Sequence, residues 1–248
     1  MRWSIRVLAT VASLAVLAGL AGCGAGNDIV FNYPGETLIF PPVGDQPPRL
    51  YVEFVNDLRP GTQRGGEGGL ATARFPADES WVEPVGQIYY QALVQDLGQT
   101  NLVEIVPLRS QADYTLEIDL QHMGCKISRH AGGFALAGLA GAGLGYAASN
   151  SGGGAAVGGV VGIGAIPVPA RIRAVCQVRL RVYGQDRELF WERECLGEIT
   201  KRVWESMTSR KDQQWVDQYL TTAVKRCNAC LVGQLRQALV EAGEASGG

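Results

Sequence analysis

The chain has 248 residues, of which 46% are apolar and 19% charged, and its formal net charge is −2. This length is enough for one sizeable domain or two small ones with a hydrophobic core. The small net charge argues against a polybasic nucleic-acid-binding protein, so we expect no nucleic-acid partner. Only two histidines are present, which leaves little material for a histidine-based catalytic or metal site.

The first 22 residues have the pattern of a secretion signal. Two arginines precede the apolar residues 7–20, and the segment ends in Leu-Ala-Gly-Cys at residues 20–23. This ending resembles the lipobox of bacterial lipoproteins, in which cleavage falls before the cysteine and the cysteine is then acylated. The resemblance implies lipidation of Cys23, and Gly24 in place of aspartate implies sorting to the outer membrane. An ordinary signal peptide with an incidental cysteine is the alternative.

Residues 23–49 are predicted to be a lipidated tether. They hold five of the eleven prolines and no periodic apolar pattern. Proline-rich chain of this kind is extended and semi-rigid. Acyl groups on Cys23 would hold the protein at a membrane without a transmembrane helix.

Residues 50–130 and 171–242 are predicted to form one αβ domain, followed by a flexible tail at 243–248. Period-2 and helical apolar patterns alternate along these two ranges. We expect strands at 50–55, 102–106, 114–121, 176–182 and 189–196, and helices at 81–97 and 213–242. The predicted fold class is α+β, a small mixed sheet with helices packed on one face.

Five cysteines remain once Cys23 is assigned to lipidation. Opposite-charge and apolar cross-strand pairs favour a hairpin register in which Cys176 faces Cys195, which predicts a disulfide between them. Such bonds persist in the oxidising compartment where a lipoprotein resides. Cys227 and Cys230 lie in mid-helix, so packing, or a bond to the sheet or to Cys125, is favoured over redox chemistry.

Residues 131–170 form an inserted segment with 13 of the 33 glycines and no charged residue. Two apolar arms, which include Phe134 and Leu136, flank a polar break at 149–153. Small residues recur every four positions in each arm, at Ala137, Gly141 and Gly145 and at Gly154, Gly158 and Gly162. On helices this spacing creates the close-packing surface of membrane proteins. We therefore predict a helical hairpin for membrane contact and oligomerisation. A β-hairpin that contributes to a multi-subunit barrel and a disordered surface loop are the alternatives.

The arms are short for a membrane span. The first would be roughly 27 Å long and the second roughly 20 Å before its closing prolines, against a hydrocarbon core of about 30 Å. A thin outer membrane or partial insertion would accommodate them. Basic residues flank both ends, Lys126, Arg129 and His130 before the segment and Arg171 and Arg173 after it. Both ends are thus expected on the same polar side.

A lipobox, a small αβ domain and a glycine-rich apolar hairpin inserted between strands together resemble the TraT-type outer-membrane lipoproteins. These are surface-exclusion and complement-resistance proteins, and the likeness is architectural because no short motif carries it. It implies a ring of subunits with the apolar hairpins in the membrane. The αβ domain is also similar to those of curli-secretion and flagellar outer-ring lipoproteins. The prolines that close the second arm and the extra cysteines depart from the TraT pattern.

The sequence therefore predicts a non-enzymatic, lipid-anchored outer-membrane protein with a periplasmic domain and no cofactor. Its expected partners are the lipid bilayer and other copies of itself, with other envelope proteins as further candidates. The alternative is a periplasmic binding or assembly module of a secretion, transport or flagellar complex. An enzyme is disfavoured because the sequence has no nucleophile elbow, metal-ligand cluster or phosphate loop.

Overall fold

The computed structural model describes residues 29–35, 38–39, 41, 46–66, 68, 71–149, 151–205 and 212–246. The signal segment, Cys23 and part of the predicted tether lie outside the described residues. The described strands are β1 Arg49–Val52, β2 Asn56–Asp57, β3 Thr72–Phe75, β4 Glu104–Ile105, β5 Tyr114–Arg129, β6 Val168–Tyr183 and β7 Leu189–Glu205. The α-helices are α1 Gly61–Arg64, α2 Val85–Gly98, α3 Ala131–Ser149, α4 Gly152–Ala165, α5 Asp212–Trp215 and α6 Thr221–Ser246, and a π-helical turn, Val216–Leu220, joins α5 to α6.

The described strands form one mixed sheet in the order β4-β1-β5-β6-β7, and β2 and β3 also pair with β5. β1 runs parallel to both β4 and β5, whereas β5, β6 and β7 form a long antiparallel ladder. Helices pack against this sheet. The α+β class with a mixed sheet is therefore confirmed.

Strict alternation along β6 separates the two faces of the sheet. Its even-numbered residues from Val168 to Val182 are buried, and its odd-numbered residues lie on the opposite face, where half are exposed and half are partly buried. Helices α2 and α6 supply the other half of the core, which includes Tyr89, Leu93 and Leu97 of α2 and Val224, Leu231 and Leu235 of α6. The four-residue apolar spacing of α6 places these side chains in one stripe toward the sheet.

Helix α6 crosses β7 at Gly197, where the two backbones nearly touch. A Cβ atom at this glycine would lie 1.8 Å from the carbonyl oxygen of Ala223 and 2.6 Å from the amide nitrogen of Cys227. These are backbone atoms, which cannot rotate away. The approach of helix to sheet therefore requires glycine at this position.

The three long strands extend further toward the inserted segment than the sequence predicted. β5 continues to Arg129 rather than residue 121, β6 begins at Val168 rather than 176, and β7 continues to Glu205 rather than 196. The short strand β3 was not predicted. The extension of β6 keeps the alternation of buried and outward residues, as at Ile172. In β5, a bulge between Leu120 and His122 shifts the alternation, so that the buried apolar side chains of its extension are Met123, Cys125 and Ile127.

The β6–β7 register differs by two residues from the predicted one. Tyr183 pairs with Leu189 and Val182 pairs with Trp191, so Phe190 is an extra residue on β7. The turn between the strands closes with a 3.0 Å hydrogen bond from the Gly184 amide to the Glu188 carbonyl. One additional turn residue and one bulge residue together produce the shift. The even shift keeps the residues from Trp191 onward on their predicted faces, whereas the bulge moves Leu189 to the outward face opposite Tyr183.

The start of the described chain is held against the domain. The Ile29 amide donates to the Ser80 carbonyl at 2.7 Å, and the Val82 amide donates to the Ile29 carbonyl at 3.2 Å. The Gln213 side chain bonds both backbone groups of Val30, at 3.0 and 2.7 Å. Part of the predicted tether is thus docked, which reduces the reach of the remaining residues.

Candidate functional site

Helices α3 and α4, here called the α3–α4 pair, leave the sheet together at one end. β5 ends at Arg129 and β6 begins at Val168, and Arg129 pairs with Ala170 in the ladder between them. The pair is therefore inserted between two adjacent antiparallel strands. Both of its ends lie at the same end of the sheet.

Small residues allow the two helices to approach closely. A Cβ atom at Gly159 of α4 would lie 3.5 Å from the carbonyl oxygen of Gly138 and 3.6 Å from the Cβ of Ala142 in α3. Of the residues predicted to form the small-residue surface, Ala137 and Gly141 are buried, Gly145 and Gly154 are half-buried, and Gly158 and Gly162 lie within α4. Contacts at this distance are typical of glycine-rich helix pairs.

Large apolar side chains of the pair face outward. Leu136, Leu139 and Leu144 are 70%, 71% and 71% exposed, Tyr146 and Val157 are about half exposed, and Phe134 is half-buried. A helix pair that only faced water would carry polar residues at these positions. An uncharged exposed surface of this kind marks contact with another protein or a membrane.

Helix length sets the possible depth of such a contact. Within the described part of the chain, no helix combines the length and the hydropathy needed to cross a bilayer. Helix α3, with 19 residues, is roughly 28 Å long at 1.5 Å per residue.

A disulfide joins Cys195 on β7 to Cys230 on α6, with Cα atoms 5.8 Å apart. The predicted Cys176–Cys195 bond is therefore wrong. The register shift places Val178 opposite Cys195 and Gly197 opposite Cys176. The bond from the helix to the sheet was among the alternatives for Cys230.

The remaining described cysteines, Cys125, Cys176 and Cys227, are free and buried. The Cys227 thiol donates to the Cys195 carbonyl at 3.4 Å and lies beside the Cys176 thiol. Burial raises the pKa of both the Cys125 and Cys176 thiols, which keeps them protonated and poorly nucleophilic. In the described ranges, no three histidine, cysteine or acidic side chains are arranged to hold a metal ion.

A buried polar cluster connects three elements, and no local sequence pattern indicates it. The Asn228 amide of α6 donates to the Asp96 carboxylate of α2 at 2.7 Å, and the Tyr89 hydroxyl donates to the Asn228 oxygen at 3.0 Å. Tyr33, from the docked N-terminal segment, donates to the same carboxylate. Asp96 and Asn228 are both fully buried. The cluster fixes α2, α6 and the N-terminal segment relative to one another.

A surface groove of about 570 Å³ lies next to the edge strand β4 and its neighbour β1. Phe54, which is 65% exposed, stacks on Tyr90 at its rim with ring centroids 6.4 Å apart. Among the described residues that line it there is no carboxylate, histidine or thiol. The groove thus brings together aromatic and aliphatic surface rather than acid–base groups.

Comparisons with known proteins find resemblance at the level of structure alone. The chain matches no protein-family model, and no curated protein sequence matches it. Among solved structures, it is similar to a Xanthomonas campestris protein of the DUF330 family, with 13% identity over 88% of this chain and 95% of that one and a TM-score of 0.40.

Two further solved structures are similar to the chain. A neuraminyllactose-binding hemagglutinin homolog from Helicobacter pylori has 9% identity over 88% of this chain and 99% of that one, with a TM-score of 0.43. Lipoprotein GNA1162 from Neisseria meningitidis has 10% identity over 80% of this chain and 99% of that one, with a TM-score of 0.27.

Proposed function

We propose that this chain is an outer-membrane lipoprotein without enzymatic activity, in which the α3–α4 pair contacts the lipid bilayer and neighbouring copies. The observation that carries the proposal is the exposure of Leu136, Leu139 and Leu144 on an uncharged helix pair. Burying one such leucine stabilises an assembly by roughly 1.5–3 kcal/mol. The lipobox at residues 20–23 supports an anchor at Cys23.

Partial insertion fits the pair better than a full crossing. Both ends of the pair lie at one end of the interior strands β5 and β6, so the helices would enter and leave the bilayer on one side. Glycine in both helices opposes helix formation in water by about 1 kcal/mol per residue relative to alanine. In lipid the backbone has no other hydrogen-bond partner, which removes this disadvantage.

The TraT-type architecture supplies the finer version of the proposal. In that version several copies form a ring. Within each copy, Ala137 and Gly141 of α3 and the small residues of α4 pack between the two helices. The outward leucines would then face lipid or the next copy. A role in surface exclusion or complement resistance would follow from the same architecture.

A deletion that the sheet can accommodate tests the proposal. Because Arg129 and Ala170 are paired in adjacent antiparallel strands, residues 130–169 can be replaced by Asn-Gly, which favours a two-residue hairpin turn. We expect the lipidated deletion variant to form smaller assemblies in detergent and to bind less detergent, measured by light scattering. Unchanged assembly size and unchanged bound detergent would reject the proposal.

A point-variant version guards against misfolding of the deletion. The triple change Leu136→Gln, Leu139→Gln and Leu144→Gln removes the outward apolar surface of α3 alone. Its matched control is Leu58→Gln, Val82→Gln and Leu108→Gln, three residues of the αβ domain that are 55–60% exposed. The first variant should reduce assembly size and the control should not. A parent chain with Cys23→Ser that is monomeric and binds no lipid would instead favour a periplasmic assembly module.

A further inference from the structure

The open face of the sheet, which faces away from α2 and α6, is polarised in charge. The end near the α3–α4 pair carries five cations and one acid, namely Arg74, Lys126, Arg171, Arg173, Arg202 and Glu198. The end near the β6–β7 turn carries two cations and four acids, namely Arg179, Arg181, Glu117, Asp119, Glu192 and Glu194. The net charge of the chain, −2, conceals this separation.

Cations face one another directly at the positive end. Arg171 pairs with Arg202 across the β6–β7 ladder, and Lys126 pairs with Arg173 across the β5–β6 ladder. Like charges in directly opposed positions destabilise a sheet. The fold of the domain does not require them, because neutral residues would fit these exposed positions equally well.

Acidic partners are distributed unequally between the two ends. Arg173 forms a bidentate pair with Glu198 at 2.7 and 2.6 Å. Lys126, Arg171 and Arg202 form no ion pair with any residue that the structure describes. At the other end, Arg179 and Arg181 both lie within 3 Å of a carboxylate oxygen. The three cations near the helix pair are thus available to an external anion.

An exposed tryptophan lies between these cations and the helices. Trp204 is 69% exposed and pairs with Pro169, one row closer to the α3–α4 pair than Arg171 and Arg202. Tryptophan is enriched where membranes meet water. Along the sheet, the order is therefore apolar helices, an aromatic ring and then cations, within roughly 13 Å at 3.3 Å per residue. A bilayer has the same order of hydrocarbon, interface and headgroup.

We propose that Lys126, Arg171, Arg202 and Trp204 form a binding surface for anionic lipid headgroups at the membrane into which the α3–α4 pair inserts. The inference rests on the proposed function and adds the lipid class that the site takes. Charge complementarity and continuity with the apolar helices favour a lipid surface. An acidic protein surface would account for the cations but not for Trp204 beside the exposed leucines.

Vesicle flotation tests the surface. The full chain carries Cys23→Ser, so that no acyl anchor contributes to binding. It is mixed with vesicles of phosphatidylcholine alone or with one-third phosphatidylglycerol. The test variant is Arg171→Glu with Arg202→Glu. The control is Arg187→Glu with Arg193→Glu, which changes the net charge equally in the β6–β7 turn and near the start of β7.

Each cation near an anionic membrane strengthens partitioning by about fivefold. We therefore expect loss of the two arginines alone to weaken binding of the test variant to phosphatidylglycerol vesicles about 25-fold. The two added glutamates should weaken it further, and the control should bind within twofold of the parent. Binding of the test variant to phosphatidylcholine vesicles should be unchanged. Added salt should weaken binding of the parent to phosphatidylglycerol vesicles and should leave binding of the test variant almost unaffected.

The outcomes separate this inference from the proposed function. If the test variant binds anionic vesicles as tightly as the control does, the headgroup surface is refuted while membrane insertion of the pair stands. If the α3 leucine triple variant binds phosphatidylcholine vesicles as well as the parent does, the proposed insertion fails. If the test variant binds vesicles as the parent does but sediments as a different oligomer, the cations contact neighbouring copies, and the lipid assignment is wrong.

Discussion

The αβ domain and the α3–α4 pair distribute apolar side chains in opposite ways. In the domain, leucine, valine and isoleucine of β5, β6 and α6 face inward and are almost completely buried. In the pair, the buried positions described in α3 are small residues, Ala137 and Gly141, and its leucines face outward. Water alone explains the first arrangement. The second exposes a large apolar surface to water unless a partner covers the leucines, as we propose, so the two regions differ in the surroundings that suit them.

Removing the disulfide should have the largest effect, and only on the domain. The Cys195–Cys230 bond closes a loop with a sequence separation of 35, and a loop of this size predicts about 4 kcal/mol of stabilisation. We expect Cys230→Ala to lower the free energy of unfolding by that amount in urea titrations. Reductant should destabilise the parent and leave the variant unaffected. Equal sensitivity of both chains to reductant would contradict the assignment of the bond.

Gly→Ala substitutions in the two regions should change stability in opposite directions. In the domain, Gly197→Ala forces a methyl group against the backbone of α6, and we expect a loss of about 3 kcal/mol. In α3, nothing lies within 4 Å of the Cβ position of Gly143. Gly143→Ala should therefore stabilise that helix by up to about 1 kcal/mol.

Thermal unfolding followed by circular dichroism measures both glycine changes. A Gly197→Ala chain that unfolds at the parental temperature would show that α6 does not pack against β7 as described. Loss of helicity in the Gly143→Ala chain would contradict the helical description of α3.

The buried polar cluster of the domain should be nearly as sensitive to substitution. Asn228→Ala removes the amide that donates to Asp96 and the oxygen that accepts from the Tyr89 hydroxyl. Leaving these buried groups with fewer partners should cost about 2–3 kcal/mol. Chemical denaturation measures the loss, and Gln234→Ala on the half-buried part of α6 is the control. A loss no larger than that of the control would show that the cluster contributes nothing to docking of α2 on α6.

Acidic pH should produce the smallest effect. Partial burial, and then the charge of Arg173, lower the pKa of His122 below its ordinary value. Protonation therefore favours the unfolded chain, so this contribution is complete above about pH 6.5 and is lost as pH falls through the lowered pKa. We expect His122→Gln to lose less stability than the parent between pH 7.5 and 5.5. Identical pH profiles of the two unfolding curves would contradict this.

The sequence predicted the parts of the molecule that rest on local periodicity. The alternation in β5 and β6, the apolar stripe of α6 and the four-residue small spacing of 137–162 all depend on nearby residues. The extra turn residue and the bulge at Phe190 have no such signature, and together they shift the register on which the Cys176–Cys195 prediction depended. The pairing of Asp96 with Asn228 depends on the docking of two helices far apart in sequence.

The cationic end of the open face shows a further limit of the sequence patterns. Arg171 and Arg202 are neighbours only because β6 and β7 extend beyond their predicted ends. In the sequence, Arg171 was only a flanking charge of an apolar segment, and Arg202 carried no prediction. Their mutual opposition became visible once the strand register was known.

The most direct test of membrane contact by the α3–α4 pair is fluorescence quenching by lipids brominated along their acyl chains. Leu139→Trp places a tryptophan on the outward surface of α3, and Leu108→Trp places one on an exposed position of the αβ domain. Relative to the parent chain in the same vesicles, the added fluorescence of Leu139→Trp should be quenched and that of Leu108→Trp should not. Unquenched added fluorescence from Leu139→Trp in membrane-bound protein would contradict the account.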